Sequence, residues 1–146
     1  MKSLFFVYTL PGDEGVAIIS GAPGKTESEI LNASVPHNAL KVRSILPENL
    51  PQDRYFRDAW TDQNPGSQID VDLIKAQAIQ MNNIRSLRDQ KLKALDVEQL
   101  KVLADPIKVA EIDAQKQVLR DIPQTFDLTI AVTPEELKVL LPEEVL

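Results

Sequence analysis

A chain of 146 residues with a formal charge of −6, no cysteine and a single histidine cannot build disulfides, thiolate nucleophiles or cysteine-ligated zinc. Its acidic balance also opposes a broad electrostatic grip on phosphate backbones, so no nucleic-acid partner is expected. Hydrophobic residues at 43% and charged residues at 26% sit close to the globular average of roughly 45–50% and about 25%, which excludes global disorder.

The opening run Leu4–Leu10 is preceded by one lysine and cut by Pro11-Gly12-Asp13. It is too short to span a bilayer, so a soluble chain with no membrane partner is expected. Its aromatic and β-branched residues, the turn chemistry of residues 11–15 and then Val16-Ala17-Ile18-Ile19 predict a β-hairpin with a long loop. Thr26 followed by Glu29 makes a capping box, in which each side chain satisfies a backbone donor of the other, and predicts a helix over 27–34. Leu40–Ile45 alternates as a strand does, and Tyr55–Thr61 is expected to form another. These elements make a small α+β head over 1–62, with a linker over 63–70 centred on Asn64-Pro65-Gly66-Ser67.

From Val71 the apolar period becomes helical. Ile74, Ala78, Met81, Ile84, Leu92 and Leu95 form one stripe at 100° per residue, predicting a helix over 71–95. Asp96 with Gln99 reads as a second capping pair starting a short helix to Ala104, and Asp105-Pro106 as the cap and first position of another. In that helix Ile107, Ala110, Ala114, Val118 and Asp121 share a/d spacing, and Ile122-Pro123 is expected to close it. Two antiparallel helices would bury these two stripes against each other. Residues 125–132 read as an extended connection or a short strand. Thr133-Pro134-Glu135-Glu136 is a complete helix start, followed by an apolar face of Leu137, Leu140 and Leu141. The fold class is therefore α+β: a β-rich head, then a helical module over 71–146 made of a hairpin and a short terminal helix.

No constellation in this sequence is equipped for conventional catalysis. Gly21-Ala22-Pro23-Gly24-Lys25-Thr26 follows a strand and precedes a capped helix as a phosphate loop would, but Walker A spacing needs glycine where Ile19 stands. His37 is alone, so a metal would rest on carboxylates without EF-hand spacing. Neither cofactor nor metal is expected. Asp62, Asp70 and Asp72 read as a solvated boundary and helix start.

Contact chemistry is better represented. Tyr55-Phe56-Arg57-Asp58-Ala59-Trp60 gathers aromatics and an arginine, the usual anchors of protein interfaces. Phe56 and Trp60 could equally form core. Arg88-Asp89 and Arg120-Asp121 could face each other across the helical hairpin, either as a partner-facing site or as an internal register device. Tyr55, Phe56, Arg57, Trp60, Arg88, Arg120, Leu137, Leu140 and Leu141 are the candidate partner-binding residues.

Tyr55–Trp60, then Ile84-Arg85-Ser86-Leu87-Arg88-Asp89 with Leu92 and Asp96, then Val118-Leu119-Arg120-Asp121-Ile122-Pro123-Gln124, together resemble small tail proteins of tailed bacteriophages, including tail-fibre assembly chaperones and accessory proteins. The likeness covers residues 53–146. It departs at Ile112–Lys116, where many such chaperones carry Trp-x-x-Tyr-Arg. The resemblance implies a protein without catalytic residues that helps a tail fibre fold, assemble or attach through protein contacts, in the host cytoplasm during assembly or in the virion tail. A permanent tail or baseplate component and, from a different class, a nucleotide-binding enzyme using Gly21–Thr26 are the alternatives. An oligomer is compatible with all three.

Overall fold

The aromatic run after Leu4 becomes the central strand of a sheet. β1 (Phe5–Thr9) pairs antiparallel with β2 (Ala17–Ser20) on one side and with β3 (Leu40–Ile45) on the other, giving the order β2-β1-β3. The computed structural model describes residues 4–13, 15–63 and 68–146. The chain is α+β, with this small N-terminal sheet followed by two long helices and a short terminal one. It divides into two compact units, Met1–Ala76 and Gln77–Leu146. Of the expected linker, residues 64–67 lie outside the described residues.

In the first unit, alternation along β1 sends Phe5 and Val7 to one face, where Ile18 and Ile45 are their cross-strand neighbours. There Val7, Val16, Ile45, Trp60 and Ile69 form a buried cluster, with Phe5, Ile18, Leu50 and Val71 packed around it. α1 (Glu27–Ser34) starts at the capping box read from the sequence: Thr26 Oγ1 accepts from Glu29 N–H while Glu29 accepts from Thr26 N–H. Its one buried residue, Ile30, lies against Gly21, where a Cβ would overlap the isoleucine side chain. β3 carries an irregularity. Val7 pairs with Arg43 but Thr9 with Leu40, so two residues of β3 oppose one of β1, and Lys41 takes a left-handed φ of 52° to accommodate the bulge.

Tyr55–Thr61 is not the strand that the sequence suggests. Tyr55 and Phe56 turn, Arg57–Ala59 make one turn of 3₁₀ helix, and only Trp60–Thr61 remain extended as β4, paired with β5 (Asp70–Val71). The reason is burial. Phe56, Ala59 and Trp60 are all inside, which a strand with period-two alternation cannot achieve.

α2 (Leu73–Lys101) begins where Asp72 accepts from the N–H groups of Ile74 and Lys75. It does not restart at Asp96 but continues unbroken to Lys101. The expected capping pair is used elsewhere: Asp96 binds Lys116, and the Gln99 amide donates to Val109 C=O and to Asp113. Those bonds join α2 to α3 (Pro106–Thr125), whose start at Asp105-Pro106 matches the sequence reading. Pairings 99 with 109 and 96 with 116 make α2 and α3 an antiparallel hairpin. α3 runs through Pro123 to Thr125 rather than closing before it. In the last turn the proline removes a single ladder bond, and burial of Leu119 and Ile122 holds the segment helical. Thr133 caps α4 (Pro134–Val139) by accepting from Glu136 N–H. Gln80, fully buried on α2, fastens the end of that segment by donating to Lys138 C=O and Leu140 C=O.

Candidate interaction site

The residues singled out in the first unit fall into inner and outer members. Phe56 is 3% exposed and Trp60 1% exposed, so both are packed inside and would meet a partner only by leaving that packing. Tyr55 is exposed and meets Phe56 edge to face with ring centroids 4.8 Å apart. Arg57 lays its guanidinium over the Trp60 ring, 4.6 Å from its centroid, while Nη2 donates to Val16 C=O at 2.7 Å. Desolvation lowers the Arg57 pKa, the neighbouring Arg54 adds to this and Asp58 opposes it. Arg57 therefore acts on its own unit as a cation–π lid. The Trp60 indole N–H finds no acceptor among the described residues.

Asp62 is no solvated boundary residue. Its side chain is 1% exposed and accepts a fork of two bonds from Arg43, Nε at 3.0 Å and Nη2 at 2.8 Å. That bond raises the Arg43 pKa, against an opposing desolvation and with a further Coulombic contribution from Asp62. Asp70 accepts from Gln68, and Asp72 caps α2. The three aspartates therefore do not converge on one point. Among the described residues, no group of three or more metal-ligating side chains occurs, and no helix is long and apolar enough to cross a membrane.

In the second unit Arg88 does not reach across to α3. Its guanidinium bonds the adjacent Asp89 at 3.0 Å, while Asp121 accepts from Gln117 one turn earlier. Arg120 is exposed on α3. Leu137 is fully buried, and Leu140 and Leu141 are partly so. The apolar residue of α4 that does face solvent is Val139, 76% exposed, and Ile130, Val132 and Leu146 of the same C-terminal segment are 66%, 69% and 70% exposed.

The hairpin holds a larger departure from the sequence reading. Ile107 and Val118, expected to seal α3 against α2, are 74% and 50% exposed, and Ala110 and Ala114 between them are exposed too. The face of α3 that is covered carries Lys116, Leu119 and Ile122. At 100° per residue Lys116 and Leu119 lie opposite the Ile107–Val118 stripe. α3 is thus apolar on two sides, and the second stripe through Ile112 and Leu119, which the sequence reading passed over, is the signal that could have pointed to the inner one. The inner seam is partly polar: Lys116, only 6% exposed, donates to Gln99 Oε1 at 2.6 Å and pairs with Asp96. Val118 also borders a groove of about 380 Å³ lined by Lys91, Leu95, Gln115, Leu119 and Glu144. On α2, Ile74 and Ala78 of the expected stripe are likewise exposed, but Ile84 of the same stripe is buried, as are Ala76 and Gln80.

Compared with models of known families, with curated proteins and with solved structures, the chain matches none.

Proposed function

We propose that this chain is a non-enzymatic tail protein of a tailed bacteriophage that assists folding, assembly or attachment of a tail fibre through protein–protein contacts, working in the host cytoplasm during assembly. The observation that carries the reading is the run of outward apolar residues Ile130, Val132, Val139 and Leu146 in the C-terminal segment, a part of the chain that the resemblance over residues 53–146 includes. Exposed apolar side chains are what a protein needs to shield a client before it assembles. They flank Leu137, Leu140 and Leu141. The buried leucine fixes the segment while its neighbours stay available.

Two inner members of the candidate set, Phe56 and Trp60, act here as supports for Tyr55 and Arg57 rather than as contacts. Arg88 and Arg120 are the charged candidate contacts of the second unit. The test is co-expression with the fibre protein encoded beside this chain, wild type against a Val139→Asp/Ile130→Asp double variant. The expected result is fibre solubility and co-purification with the wild type, both lost in the variant. Unchanged fibre solubility without co-purification would sink the proposal, and peptides of this chain in purified particles would instead make it a permanent virion component.

A further inference from the structure

Among the described residues of the second unit, the outward stripe of α3 is an exposed helix face. Ile107 and Val118 stand as ridges at its ends, and Ala110 and Ala114 form a hollow two turns long between them. Leu103, 63% exposed in the turn before α3, extends the stripe toward the hairpin's end. A helix apolar on two opposite faces is built to be covered twice, and the inner covering by α2 is already in place.

We propose that the second covering is another copy of this chain, with α3 packed antiparallel on α3 about a two-fold axis near Ala114. Three features favour a second copy over a different partner. A two-fold interface must be its own complement, and the middle of this stripe is: centred on Ala114, it sets Val118 of each copy into the hollow at Ala110 of the other, with Ile107 of one copy beside Asp121 of the other at the two ends of the contact. Alanines at the centre let the helix axes approach closely. Beside the stripe, Glu111 of one copy falls near Gln115 of the other, so a carboxylate meets an amide rather than a carboxylate. The exposed area of the stripe with Leu103 is on the order of 500 Å² per copy, so the pair removes roughly 1,000 Å² from water, in the range of weak, transient interfaces. A reversible dimer is the result. It is independent of the tail-fibre reading, since a monomer could bind fibre and a dimer could lack any fibre partner.

The experiment is sedimentation velocity of the full chain over a concentration series reaching about 200 µM, the range in which interfaces of this size associate. Wild type is expected to shift from monomer to dimer within it. Ala114→Lys, on an exposed helical position that lysine suits, is expected to weaken association at least tenfold while leaving the circular dichroism spectrum unchanged. Val97→Lys, which alters a comparably exposed residue on α2, is expected to leave it intact. Because the chain has no cysteine, Ala114→Cys supplies a second reading: a short bismaleimide should link two copies through it and not through Val97→Cys. A wild type that stays monomeric throughout, a dimer that Ala114→Lys leaves unaffected, or cross-linking through position 97 in preference to 114 would each overturn the proposal.

Discussion

Arg43 on β3 and Asp62 beyond β4 meet fork to fork, with both carboxylate oxygens engaged within 3.0 Å. The carboxylate is enclosed and the guanidinium is 16% exposed. Enclosing a carboxylate costs free energy, and here the two bonds from the guanidinium offset that cost.

Breaking the pair from one side is therefore expected to cost more than removing it altogether. Asp62→Ala should lower unfolding free energy by about 2–3 kcal/mol, under the roughly 3–5 kcal/mol of fully enclosed pairs because Arg43 keeps some solvent. The double variant Arg43→Met/Asp62→Leu should recover most of that loss. Urea titrations of the three variants decide it, and equal destabilisation by single and double variants would contradict the argument.

Gly21 has a packing duty, which is what the glycine-rich loop before α1 is for. A methyl group there overlaps Ile30, so Gly21→Ala is expected to cost about 1–3 kcal/mol through overpacking. Adding Ile30→Val should return part of it, since the shorter side chain vacates the space. Lys25→Ala, on the exposed part of the same loop, should leave stability within about 0.5 kcal/mol. Thermal unfolding of the four proteins checks the pattern, and rescue failing at position 30 would locate the strain elsewhere.

Lys116 tests whether the hairpin seam is held by charge or by the lysine stem. Lys116→Met keeps the stem and removes the ion, and is expected to fall within about 1 kcal/mol of wild type, because apolar replacements of buried ions are often near neutral. Lys116→Ala loses the stem as well and should cost about 2–3 kcal/mol. Amide exchange in α3, read for both variants, would show the opposite order if the bonds to Gln99 and Asp96 dominate.

Asp127 provides a pH-dependent reading at the start of the C-terminal segment. The Thr129 hydroxyl, at 2.6 Å, and then its N–H, at 2.8 Å, hold this carboxyl below its ordinary value. A depressed folded pKa stabilises above the unfolded value, and that contribution disappears as pH falls through the folded one. Thr129→Val removes the hydroxyl, so the Asp127 titration followed by NMR should move up toward an ordinary aspartate. An unmoved midpoint would show that the backbone N–H alone sets it.

Three helix starts were legible in the residues themselves, at Thr26-Glu29, Asp105-Pro106 and Thr133-Pro134, because each is complete within four residues and needs no distant partner. The hairpin of β1 and β2 was legible for the same reason, as was the α+β class. Asp96 and Gln99 have the same local pattern as a cap, yet they do not stop α2. Lys116, Asp113 and Val109 C=O come from α3 to take both side chains, and a partner seventeen or twenty residues away is invisible to a four-residue rule. The candidate site followed the same division. Composition marked Tyr55–Trp60 and the terminal leucines as candidates for contact, but only tertiary packing decided which of them face inward, since Trp60 and Leu137 are enclosed while Tyr55 and Val139 are not. On α3 the period of 3.6 was fixed by sequence, and with two apolar stripes available it could not choose between them. The burial of Lys116 and Leu119 against α2 made that choice, leaving Ile107, Ala110, Ala114 and Val118 outside.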